Sequence, residues 1–138
     1  EQARQTRFMS GSKHSNNVGR AGEFLALSRL SLAGFPCTLI QHDVDDAYIK
    51  TSSGKLLTLQ VKTASKIAKN ERKYKWPTVV IGGNKRSDIY ALVAYDTQKI
   101  FWVRGDSHII KKWTTRLFPQ DFEDEDELLK QVINSFET

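Results

Sequence analysis

The sequence predicts a single α/β domain with a mixed, largely antiparallel sheet and flanking helices, and three observations predict it. Apolar residues recur at helical spacing over Val18–Ala33, three β-favourable segments follow between Cys37 and Lys62, and a hairpin pattern at Ile89–Val103 precedes an acidic amphipathic stretch. A chain of 138 residues suits one hydrophobic core, since two would each be small.

Residues 1–17 are polar and lack an apolar period, so they read as a flexible arm, with the domain spanning 18–138. The first helix follows, with Phe24, Leu25, Leu27, Leu30 and Leu32 on its apolar positions, Asn16 or Asn17 as cap and Gly34 as terminator. Pro36 opens a meander of Cys37–Gln41, Asp46–Lys50 and Lys55–Lys62, the last two joined by the turn Thr51-Ser52-Ser53-Gly54. Thr63–Trp76 is basic and has room for a short helix. Strand character resumes at Val79–Ile81, before the turn Gly82-Gly83-Asn84. Ile89–Tyr95 and Lys99–Val103 form a hairpin around Asp96-Thr97-Gln98, and Asp121–Phe136 forms a helix with acids at its positive end.

Composition excludes several classes. Hydrophobic residues at 39% and charged residues at 27% exclude a disordered chain. No apolar run reaches membrane length and no secretory leader is visible, so the chain reads as intracellular and cytoplasmic. Cys37 is the single cysteine, which excludes an internal disulfide or a cysteine-cluster zinc site and suggests a small buried hydrophobe. Charge is polarised: residues 121–138 hold seven acids and one base, a net −6, leaving 20 bases and 9 acids, a net +11, in residues 1–120. A basic body with an acidic end points to a polyanion met on one face.

The segment Asp46–Lys62 carries the chemistry. Along a strand, Gln60 and Lys62 share one face while Val61 turns toward the core. The Thr51–Gly54 turn folds Asp46 back beside them, so an acid, an amide oxygen and an amine converge. Magnesium takes a few hard oxygen ligands and keeps several waters, a demand that Asp46, the Gln60 amide oxygen and the Val61 carbonyl meet. Lys62 is then placed to orient or deprotonate a water, or to stabilise developing phosphate charge. Asp46 is preferred to Asp45 and Asp43 because it abuts the apolar strand; each of these acids also suits a turn, and a strand reading Gln-Val-Lys is common on half-exposed sheets.

Together these residues resemble the PD-(D/E)XK nucleases, in particular the compact branch containing intron-encoded homing endonucleases and relatives of the archaeal Holliday junction resolvases. The resemblance runs from Gly19 to about Val103, through Gly19-Arg20-Ala21-Gly22-Glu23, Asp46-Ala47-Tyr48-Ile49, Leu59-Gln60-Val61-Lys62-Thr63 and Asp88-Ile89-Tyr90-Ala91-Leu92. It implies a restriction-endonuclease-like domain with a helix-strand-strand-strand core, acting as a Mg2+-dependent endodeoxyribonuclease, with Mn2+ as substitute, on double-stranded or branched DNA. It adds Glu23 as a group holding metal or its water, beside Asp46, Gln60 and Lys62. The commonest pattern has Glu where this chain has Gln60; the homing-endonuclease branch is similar to this chain in having Gln.

Lys66, Lys69, Arg72, Lys73 and Lys75, interleaved with Tyr74 and Trp76, suggest the DNA-binding face, extended by Arg20, Lys85, Arg86, Lys111, Lys112 and Arg116. His14, His42 and His108 lack metal-ligand spacing. Cutting two strands with one small site calls for a homodimer or a larger homo-oligomer. A junction resolvase and a restriction or repair nuclease share this chemistry, and the neutral Gln60 also suits a catalytically weak DNA-binding module.

Overall fold

The computed structural model describes residues 2–40, 45–81 and 85–137, with side chains from residue 16 onward. The elements in chain order are α1 (Gln2–Leu32), β1 (Cys37–Leu39), β2 (Ala47–Lys50), β3 (Leu56–Ala64), β4 (Tyr74–Pro77), β5 (Ile89–Ala94), β6 (Lys99–Arg104), β7 (Thr114–Leu117) and α2 (Glu125–Asn134). Five strands form a sheet in the order β1-β2-β3-β5-β6, and β4 pairs with β7 in a second, two-stranded sheet. Every pairing in the large sheet is antiparallel except β3 with β5. The α/β class with a mixed, largely antiparallel sheet and flanking helices is therefore the observed one. Among the described residues no helix is long and apolar enough to cross a membrane.

The alternation of β3 divides the interior into two cores. Leu57, Leu59 and Val61 pack with Ala26 and Leu30 of α1 and with Leu129, Val132 and Ile133 of α2. On the opposite face Tyr90, Leu92 and Val103 pack with Tyr74 and Trp76 of β4, Leu117 of β7 and Phe122. Burying a side chain of this size contributes about 1.5–3 kcal/mol, so the small sheet is held by its apolar side chains rather than by four residue pairs of ladder.

Helix α1 ends as its sequence requires. Gly34 sits at φ +91, its N–H donates to the Ser31 carbonyl at 3.0 Å, and the Phe35 N–H reaches the Leu30 carbonyl at 2.9 Å, a glycine-terminated cap that satisfies the last carbonyls. Arg29 then ties three elements together. It pairs with Glu125 at 3.0 Å and donates to the Gln98 carbonyl at 2.9 Å, while Glu125 Oε1 accepts the Ile100 N–H at 2.7 Å.

Several expectations are corrected. Helix α1 begins at Gln2, not Val18, so Asn16 and Asn17 are interior rather than caps. The Ala, Gln, Arg and Lys before Val18 are good helix formers, which a criterion based on apolar period overlooks. Thr63–Trp76 holds no helix: β3 runs on to Ala64, an Ala68–Lys73 bridge closes a turn with Arg72 at φ 55, and β4 begins at Tyr74. Val79–Ile81 lies outside any strand, and the Thr78 N–H before it donates to the Trp113 carbonyl. The C-terminal helix starts at Glu125, because a 3-10 turn at Pro119–Phe122 and Asp124 at φ 57 precede it. Cys37 is half-buried, its Sγ 3.6 Å from the Leu27 carbonyl. Gln41, His42, Asp43 and the Gly82-Gly83-Asn84 turn lie outside the described residues.

Candidate active site

Three elements converge on one cluster. The β2–β3 register pairs Ala47 with Leu59, so the next position outward sets Asp46 opposite Gln60. Asp46 extends the ladder, its N–H donating to the Leu59 carbonyl at 2.8 Å and its Oδ2 accepting the Val61 N–H at 2.7 Å. This carboxylate is thereby fixed at the edge of β3. Gln60 and Lys62 are half-buried and alternate with buried Leu59 and Val61, so they share the face the sequence predicts. From α1, Glu23 comes near enough to Asp46 for each carboxyl to perturb the other.

Glu23 is brought there by a close helix-to-strand approach. Gly22 is buried against Thr63, and a Cβ on it would overlap the Thr63 hydroxyl and lie 3.0 Å from both the Thr63 Cβ and Cγ2. Only glycine admits α1 this near to β3, and Glu23 is the next residue.

The electrostatics describe a site short of positive charge. Burial, and then the neighbouring Asp46 carboxylate, raise the Glu23 pKa above its ordinary value, although Arg20 opposes them. Burial also raises that of Asp46, and it outweighs the Val61 N–H and the nearby Lys62 ammonium, which act in the opposite direction. Two neighbouring carboxyls, both resisting ionisation, are the environment that a cation relieves. Glu23, Asp46, the Gln60 amide and the Val61 carbonyl offer oxygen donors only, the type that hard cations accept. Among the described residues no group of three or more His, Cys, Asp or Glu gathers as a metal cluster, so any such ion would depend on those neutral oxygens.

A cleft of ≈ 430 Å³ opens beside the cluster, with Arg20, Glu23, Val61, Lys62, Thr63 and Pro77 in its walls. A larger cleft of ≈ 640 Å³ lies by Arg29 and the start of α2. There Arg29 and Glu125 are committed to each other, whereas the smaller cleft adjoins Glu23 and Lys62.

The neighbouring acids are otherwise engaged. Asp45 accepts the Ser87 hydroxyl. Asp88 accepts the Thr58 N–H at 2.9 Å and the Thr58 hydroxyl at 3.2 Å, and returns its own N–H to Thr58 Oγ1, clamping β3 to the start of β5.

The basic residues divide. Lys66, Lys69 and Arg72 are exposed on the turn after β3, Lys73 lies 4.8 Å over the Phe118 ring, and Lys75 and Arg116 both pair with Glu71. Tyr74 and Trp76 are not interleaved with them on a surface: they are 3% and 0% exposed, and face the second core. Arg20 and Lys85 are exposed, and Arg86 stands 5.8 Å over the Tyr90 ring. The sequence reading passed over Trp113, 75% exposed beside Lys111 and Lys112. Its signal was a Lys-Lys-Trp triplet outside any strand pattern.

The chain thus folds as a five-stranded mixed sheet with α1 packed across one face and Asp46 at the junction of β2 with β3. A bacterial homing endonuclease, I-Ssp6803I, shares this fold, with a TM-score of 0.70 over 87% of this chain and 94% of that one at 17% sequence identity. No protein-family model and no curated protein matches the chain.

Proposed function

We propose that the chain is a metal-dependent DNA endonuclease of the PD-(D/E)XK type, related in activity to homing endonucleases. The observation that carries this reading is Asp46 held by the Val61 N–H directly opposite Gln60, with Lys62 on the same face of β3 and Glu23 of α1 nearby. The shared fold with a homing endonuclease supports it. Glu23, Asp46, the Gln60 amide oxygen and the Val61 carbonyl are the groups that would hold Mg2+, or Mn2+ in its place. When bound, the ion supplies Lewis acidity to a phosphate oxygen and lowers the pKa of a water. The Val61 N–H keeps Asp46 aimed, and Lys62 either takes a proton from the attacking water or offsets charge on the phosphate.

Incubation of the protein with supercoiled plasmid, in Mg2+ or Mn2+ and in chelator, tests this reading. Metal-dependent nicking or linearisation is expected. A junction resolvase would instead act on branched DNA and leave plasmid intact. The neutral Gln60 favours one second reading, a DNA-binding module that shifts plasmid without cutting it. Double-strand cutting by this single site calls for a homodimer or larger homo-oligomer, measurable by light scattering.

Gln60 sets the metal affinity. Gln60→Glu preserves shape and adds one negative charge, so calorimetry should show Mg2+ binding about tenfold tighter to the free protein. Gln60→Ala removes the oxygen and should cost about a hundredfold in nicking rate. If Gln60→Ala nicks at the parent rate, Gln60 is an ordinary strand residue.

Affinity for DNA is a separate quantity. Replacing Lys69, Arg72 and Lys73 together by Ala should weaken binding alike on all sequences and flatten its salt dependence by up to about three phosphate contacts. An unchanged slope in shift assays across a salt series would move the DNA face away from this turn.

A further inference from the structure

Lys111, Lys112 and Trp113 connect the 3-10 turn His108–Ile110 to β7, and they stand beside the active-site cleft. Pro77 lines that cleft and pairs with Thr114, and the next residue, Thr78, donates its N–H to the Trp113 carbonyl at 3.1 Å. On the other side of the strip, Arg86 lies over Tyr90, and Tyr90 is the β5 partner of Gln60. Arg86 and Lys111 line two adjoining clefts of ≈ 330 and ≈ 280 Å³; the first also takes in Lys85 and Arg104, the second Lys112 and Trp113.

The charges of this strip are largely unspent. Among the described residues Lys85, Arg86, Lys111 and Lys112 pair with no acid, whereas Arg104 is held by Asp106 at 2.9 Å. Arg86 Nη1 is buried and has no hydrogen-bond partner. An unmet guanidinium N–H among lysines is a site for an anion with several oxygens, and phosphate fits the fork of its donors. Trp113 adds a different chemistry. An indole 75% exposed is costly to leave in water, and next to phosphate-binding cations its flat face suits a nucleobase or a sugar.

We propose that Arg86, Lys111, Lys112 and Trp113 form a DNA-contact surface flanking the active-site cleft, in which the cations take backbone phosphates and Trp113 stacks on the nucleic acid. This rests on the proposed nuclease function and extends it by naming where the DNA leaves the reacting phosphate. The turn at Lys66–Arg72 follows the far end of β3, beyond Ala64, whereas Arg86 of the strip lies over Tyr90, the β5 partner of Gln60.

The protein carries its own probe. Of its three tryptophans Trp76 and Trp102 are 0% exposed, so acrylamide should quench Trp113 selectively. Titration with a short mixed-sequence duplex in EDTA, which prevents cleavage, should protect that emission. In shift assays Trp113→Ala should bind about tenfold more weakly with the parent's salt slope, Trp113→Phe should recover most of the loss, and Lys111→Ala with Lys112→Ala should flatten the slope. Thermal melts of Trp113→Ala should match the parent, because the side chain is exposed. Parent-like affinity in Trp113→Ala, or tryptophan emission unaltered at saturating duplex, overturns this proposal while leaving the nuclease reading intact. A parent protein that shifts no DNA at low salt overturns both.

Discussion

Asp46→Asn is expected to lower plasmid cleavage at least about a hundredfold while leaving DNA affinity within a few-fold and raising the thermal stability of the metal-free protein at pH 7. The first two effects follow from the proposed roles: Asp46 would act on the metal and the reacting phosphate, whereas affinity would be distributed over many phosphate contacts. The third follows from charge. Burial raises the pKa of Asp46 above its unfolded value, and burial with repulsion from Asp46 does the same for Glu23. A carboxyl with a raised folded pKa contributes stability below its unfolded pKa and loses it as pH rises through the folded one. At neutral pH the paired carboxylates therefore strain the fold, and asparagine removes one of them while keeping an oxygen for the Val61 N–H. The advantage in melting temperature should shrink as pH falls through the carboxylate range, where Asp46 is itself neutral. Parent cutting rates in Asp46→Asn would remove it from the site, and a lower melting temperature at pH 7 would contradict the charge argument. Lys62→Ala should also abolish cleavage, but without the gain in stability.

Gly22→Ala is expected to impair the proposed cleavage almost as severely through geometry alone. The added methyl meets the Thr63 hydroxyl, Cβ and Cγ2, so no Thr63 rotamer clears it and α1 must back away from β3. Overpacking of this kind costs about 1–3 kcal/mol. Displacing the adjacent Glu23 by an ångström relative to Asp46 should reduce cleavage by up to about a hundredfold, with DNA affinity little changed. Thr63→Gly clears the space, so the double variant Gly22→Ala/Thr63→Gly should regain most of the cleavage rate while remaining less stable than the parent. A double variant as inactive as Gly22→Ala would mean that Glu23 is not positioned by this contact.

The elements that position the site were legible in the sequence for specific reasons. The β2–β3 hairpin is local, its turn is marked by Gly54 at φ 87, and the strict alternation Leu57, Leu59, Val61 against Thr58, Gln60, Lys62 fixes which face each residue takes. Asp46 could be favoured over Asp45 from its place beside the apolar strand; in the fold Asp46 accepts the Val61 N–H and Asp45 the Ser87 hydroxyl. What could not be read was non-local. Tyr74, Lys75, Trp76 and Pro77 look like a basic-aromatic surface until β7 arrives as a partner; the strand then turns Tyr74 and Trp76 inward and leaves Lys75 outside. Lys111-Lys112-Trp113 has the same composition, but it lies in a turn, where no alternation hides the indole. The β3–β5 pairing, which sets Tyr90 and thus Arg86 beside Gln60, is equally invisible because the intervening chain bears no signal of parallel register.

The tie between Arg29 and Glu125 also bears on how copies of the chain can associate. A sheet that ends in unpaired amides and carbonyls invites another chain to add a strand, and soluble proteins blunt such borders. Here one border is β1, only 3 residues long. At the other, on β6, the Glu125 carboxylate takes the Ile100 amide, and Arg29 takes the Gln98 carbonyl just before the strand. Strand addition is thus discouraged at both borders, so a homo-oligomer would have to join through side chains on helix or loop surfaces rather than by continuing the sheet.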